Sequence, residues 1–143
     1  MTNFINIDKS DYINAINLYL GLYNPLKGFV CYEDHLSILE KKKIQKINFT
    51  IPINIFCSRK QYNKFAIGEK INLKFKNEII GFLILQSKFF VKKNFYLSSV
   101  FGTSNKTHVG VYKFSKKIDQ NPYALGGEVV VHPTKVKKFF KNS

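Results

Sequence analysis

The 143-residue chain contains no tryptophan, one arginine (Arg59), two cysteines and nine acidic residues. Each scarcity excludes a class. Two separated thiols, Cys31 and Cys57, supply neither a disulfide framework nor a zinc signature, and read as small buried hydrophobes. No apolar run approaches the roughly 20 residues that a membrane-spanning helix needs. The N-terminal stretch Met1-Thr2-Asn3-Phe4-Ile5-Asn6-Ile7-Asp8 has neither the basic nor the apolar region of a secretory leader. Hydrophobic residues at 45% against 22% charged give enough apolar surface to offset ordering entropy, so the chain is not disordered. The expectation is one soluble, cytoplasmic domain spanning residues 1–143.

Catalytic signatures are also missing. The histidines His35, His108 and His132 stand in no metal-ligand spacing, and no Gly-rich phosphate loop occurs beyond the isolated pair Gly126-Gly127. The acids are scattered, with no pair that spacing alone brings together for acid–base work. His35 reads as a surface or satisfied, partly buried residue, His132 as structural beside Pro133, and His108 as a polar contact at a helix start. No catalytic, cofactor-binding or metal-binding residue is expected, and the domain on its own is not expected to be an enzyme.

What is abundant is lysine. The net charge is +14, which attracts polyanions. Two readings stay open. Lysine, asparagine, isoleucine, phenylalanine and tyrosine all have AT-rich codons, so nucleotide bias yields this charge without selection for binding. Alternatively the surface serves RNA, and Phe89, Phe90, Phe95 and Tyr96, interleaved with Lys88, Lys92 and Lys93, are then the stacking candidates.

Periodicity predicts a helix from Ser10 or Asp11, capped by Ser10, with Ile13, Ile16 and Leu20 on its apolar face and Gly21 as its stop. Tyr23 to Phe29 reads as an ordered turn around Pro25 and Gly28, followed by a helix over Glu33 to Lys43. Phe49 to Phe56 reads as a strand with Pro52 at an edge, and Ser58 to Phe65 as one or two helical turns. Ile71 to Lys76 alternates like a strand with one wet face. It turns at Asn77-Glu78 into Ile79 to Leu85, a central strand extending through Val91. Asn94 to Val100 and Val109 to Lys117 are expected helices, Glu128 to Val131 a final strand, and residues 133–143 a basic tail.

Several segments then fall into a familiar order. Tyr23-Asn24-Pro25-Leu26-Lys27-Gly28-Phe29-Val30 resembles the F-S-P-L-x-G-F-M turn of ATP sulfurylase (sulfate adenylyltransferase), and Thr50-Ile51-Pro52-Ile53 is similar to its W-P-I-P-I strand. Phe101-Gly102-Thr103-Ser104 and His108-Val109-Gly110-Val111 resemble F-G-T-x-D and H-P-G-V, and Tyr123-Ala124-Leu125-Gly126-Gly127-Glu128-Val129 resembles Y-x-x-G-G-x-V. The resemblance is to the N-terminal domain of that enzyme. It implies an α+β fold, a PUA-like and mostly antiparallel β-barrel with short peripheral helices. Pro25, Gly28, Phe29, Gly102, His108, Gly110, Gly126 and Gly127 are the structural motif positions. The family's Q-x-R-N-P, H-x-G-H and G-R-D catalytic elements do not occur. The implied role is a non-catalytic, structural or partner-binding module linked to sulfate activation. Its expected partner is a separately encoded catalytic domain or a second copy, with no cofactor and no membrane.

Overall fold

The computed structural model describes residues 3–141. Phe4–Asn6 forms a short strand, β1, and Lys9–Tyr19 the first helix, α1. The helix starts earlier than its apolar periodicity predicts, because Asp8 and not Ser10 is its cap. The Asp8 carboxylate accepts from the Asp11 amide at 2.8 Å while the Asp11 carboxylate accepts from the Asp8 amide at 3.3 Å, a reciprocal capping box. Ala15, Ile16 and Leu18 are buried. Leu20 lies past the last turn and is exposed, so it does not belong to the apolar face. The turn that follows contains a cis Asn24–Pro25 bond and leads into β2, Gly28–Phe29.

Helix α2 spans Tyr32–Lys41, with Lys42 in the left-handed region ending it, and buries His35, Ile38 and Leu39. A small hairpin follows, β3 (Lys43–Ile44) with β4 (Ile47–Asn48). The expected strand over Phe49 to Phe56 is mostly absent. Only β5, Ile55–Cys57, is extended and paired. Buried Pro52 has no amide to donate to a ladder, and the Ile53 carbonyl is taken by the Val30 amide at 3.0 Å. Ser58 caps α3, Arg59–Lys64, through a second capping box with Gln61.

Strands β6 (Lys70–Phe75) and β7 (Glu78–Ile84) form the expected hairpin. Its turn residues are Lys76 and Asn77, both left-handed at φ 48° and 66°, the pairing that matches the twist of two antiparallel strands. The expected wet face of β6 is interrupted: Lys70 is exposed and Lys74 half-buried, but Asn72 between them, paired with Phe4 of β1, is buried. β7 does not continue to Val91. The chain breaks at Leu85-Gln86, and Ser87–Phe90 forms a separate strand, β8. Helix α4 covers Lys93–Phe101 and stops at left-handed Gly102, and α5 covers Val109–Gln120. Strand β9, Tyr123–Val131, is longer than the expected Glu128 to Val131. Pro133–Lys141 of the expected tail is a sixth helix, α6, and the remaining two residues lie outside the described ones.

β9 organises the sheet. Its first half pairs β5 and β8, and its second half pairs β7 and β2. The path runs β1-β6-β7-β9-β2, with β1 parallel to β6 and every other pair antiparallel. The PUA-like α+β character is as expected, but the barrel is not: the sheet is mixed and open. Its ends are β1, of three residues, and β2, of two, and these do not pair with each other. One core of buried residues, including Ile5, Ile16, Phe29, Leu73, Leu83 and Val129, lies on the sheet. A second joins Leu39, Phe56, Phe89, Tyr96, Val111 and Ile118 beneath α4 and α5.

Candidate functional site

Four of the motif positions, Gly28, Phe29, Gly126 and Gly127, meet at β9, while Gly102, His108 and Gly110 stand at the ends of α4 and α5. Gly28 lies in register with Glu128, and a Cβ placed on it would overlap the Gly127 carbonyl oxygen. Gly126 and Gly127 are equally crowded, against the carbonyls of Val30 and Ile84. Phe29 is buried opposite Gly127. Gly102 ends α4, and Gly110 lets the first turn of α5 close on the Phe101 ring. His108 caps α5, its Nδ1 accepting from the Gly110 and Val111 amides at 3.1 and 3.4 Å. These residues hold strands and helix ends together, and none of them presents reactive chemistry to a common point.

A cavity of about 420 Å³ opens nearby, bounded by α1, the irregular segment 48–54, α4 and α5. Phe49, Phe56, Tyr96 and Phe114 give it aromatic walls. At its α1 side Lys117 lies 3.1 Å from Asp8 and 3.8 Å from Asp11. Burial pushes the Asp11 carboxyl up to about 6, although Lys117 opposes the shift. Burial also acts upward on Asp8, but the Asp11 amide and Lys117 outweigh it and hold that carboxyl below its ordinary value. The structure therefore brings together an acid pair that the sequence reading left apart. Its local signal was present, since Asp8 and Asp11 stand at capping-box spacing. Lys117 had none, being distant in the chain.

His35 is buried, not at the surface. Its ring packs 4.8 Å from Phe89 and 6.1 Å from Tyr96. Burial lowers its pKa to about 4; the neighbouring Asn54 amide opposes this but is not placed to bond Nδ1, which lacks a partner. Asn54 is also buried, and both its side-chain polar atoms are unpaired. Cys57 is fully buried, its thiol pushed up to about 12, while Cys31 is half-buried. Among the described residues no group of three or more histidine, cysteine or acidic side chains could hold a metal.

The four stacking candidates separate. Phe89 and Tyr96 are 7% and 1% exposed and belong to the second core, leaving no face for a base. Phe90 and Phe95 are exposed, at 56% and 39%. Much of the lysine charge nearby is engaged internally. The Lys88 ammonium donates to the carbonyls of Tyr62 and Phe65, both at 2.8 Å, and Lys93 pairs with Asp119.

Residues 2–134 match the family of PUA-like domains. The chain belongs to the PUA-like domain family. It is 31% identical over 127 residues to the sulfate adenylyltransferase of Ignicoccus hospitalis, a match covering 88% of the chain and 32% of that enzyme. It is 29% identical over 131 residues to the sulfate adenylyltransferase of Carboxydothermus hydrogenoformans, covering 90% and 34% respectively. This PUA-like chain thus spans about a third of the length of those curated relatives. A hexameric APS kinase from Thiobacillus denitrificans shares the fold, with a TM-score of 0.60 at 15% identity over 99% of this chain and 26% of that one. No helix among the described residues is long and apolar enough to cross a membrane.

Proposed function

We propose that this PUA-like domain is a non-catalytic module of sulfate activation that packs against a sulfurylase-type catalytic portion. The observation that carries the reading is the extent of the match, which takes in about nine-tenths of the chain but about a third of each sulfate adenylyltransferase. The site chemistry supports it. Adenylyl transfer to sulfate needs cationic groups converging where charge develops on the transferred phosphoryl. In the first cavity the one basic residue, Lys117, is committed to two carboxylates, and the single arginine, Arg59, stands exposed at the start of α3 and lines neither that cavity nor any site with Lys117. The partner in this reading is a separately encoded chain that carries the catalytic portion.

Affinity purification of the tagged chain from its own cells tests the reading. A polypeptide bearing the missing catalytic elements should co-purify, and adenylylsulfate formation should follow the complex and not the isolated chain. Recovery of the chain without such a partner, together with no change in sulfate activation when its gene is deleted, contradicts the reading. A second reading, polyanion binding, is favoured by the net charge of +14.

A further inference from the structure

A second cleft, of about 660 Å³, lies between the first turns of α1, the β6–β7 hairpin and α6. That volume suits a small ligand, since such sites commonly enclose about 300–1,000 Å³. Its charge is one-sided: Lys9, Lys76, Lys135 and Lys138 line it against Glu78, a net charge of +3. Lys135 and Lys138 share Glu78, at 2.6 and 3.4 Å. Among the described residues neither Lys9 nor Lys76 has a carboxylate partner, and the Lys76 ammonium lies over the Phe75 ring, 5.4 Å from its centre, at the aromatic side of the cleft. Lys76 is held at the rim by the tight hairpin turn in which it adopts its left-handed conformation.

The cleft is also aromatic. Tyr12 stands 4.6 Å from the Phe75 ring and 5.5 Å, edge-on, from Phe139, and all three are half-buried with part of their surface in the cleft. Aromatic rings accept a planar partner without regard to its detailed substituents. Lysines are point charges suited to phosphate, and a phosphate monoester carries about −1.5 to −2 at neutral pH, a better match to the excess of lysine than one carboxylate. Most of the helix that closes the cleft, α6 at Pro133–Lys141, lies beyond the residues matched to the PUA-like family.

We propose that this cleft binds a phosphate ester of a planar ring, with the ring on Tyr12, Phe75 and Phe139 and the phosphate among Lys9, Lys76 and Lys138. The same chemistry is offered by a free aryl or nucleoside phosphate and by a nucleotide unit in a single strand. The proposal is independent of the sulfurylase reading and of the aromatics Phe90 and Phe95.

Titration of the full chain with phenyl phosphate, followed by NMR at about 50 mM salt, tests it. Saturable shifts are expected at cleft residues, with toluene and inorganic phosphate binding several-fold more weakly because each supplies half of the ligand. The double variant Lys9→Gln, Lys76→Gln should weaken phenyl phosphate by on the order of tenfold. The pair Lys60→Gln, Lys113→Gln, which removes the same charge away from the cleft, should leave binding within about twofold. Hexauridylate that displaces phenyl phosphate assigns the cleft to a strand, and hexauridylate that does not assigns it to a free small molecule; both support the site. Absence of saturable binding, or equal weakening by the two lysine pairs, overturns the proposal.

Discussion

Two residues show how burial sets the chemistry of the core. The His35 ring sits among Phe89 and Tyr96 with its Nδ1 unpaired, and burial lowers its pKa to about 4. The unfolded chain takes up that proton first as pH falls. The stability contributed by the neutral ring is therefore complete above about pH 6.5 and is lost as pH approaches 4, by on the order of 3 kcal/mol at the limit. Asp11 works in the opposite sense. Its carboxyl is raised to about 6, so the folded state favours the protonated acid and this group gains stability as pH falls below 6. Urea unfolding of His35→Leu and the parent at pH 7 and pH 4 should show the variant gaining on the parent by on the order of 2–3 kcal/mol at the lower pH. A constant difference between them would show that His35 is not buried as described. Gly28 is decided by space. A valine there would drive its Cβ into the Gly127 carbonyl, so Gly28→Val should cost on the order of 3 kcal/mol or more. An unchanged melting temperature would contradict the register of β2 against β9.

At the scale of elements, caps decide where helices begin. His108 accepts from two amides of α5, so His108→Ala should cost about 1 kcal/mol and His108→Asp should restore most of it, measured by chemical denaturation. The elements with strong local signals were legible in the sequence: the helix ended by Gly102, the hairpin β6–β7, the short helix after Ser58, and the cap at His108. What was not legible depended on partners far along the chain. β1 exists because β6 lies beside it, and β5 begins at Ile55 because β9 supplies its pairing only from there. The same reason hid much of the first cavity, where Lys117 reaches Asp8 across the fold, and all of the second cleft, which needs α6 folded back toward Lys9 and Lys76. Burial of Phe89 and Tyr96 was likewise invisible, since a lysine-flanked aromatic has the same local pattern on a surface and in a core.

Over the whole molecule, the open mixed sheet and the six helices among the described residues form a scaffold in which Gly28, Gly126 and Gly127 serve close packing around one long strand. At the first cavity Lys117 is held by two carboxylates, whereas the excess of positive charge lies in the second cleft. The proposed role is a contribution to sulfate activation through a partner, with adenylyl transfer assigned to that partner. The most direct test is adenylylsulfate formation by the purified chain supplied with ATP, magnesium and sulfate, after removal of host sulfurylase. The account predicts product at the level of the protein-free control. Turnover that stays with the chain through successive purification steps and falls in step with its unfolding by Gly28→Val would contradict it.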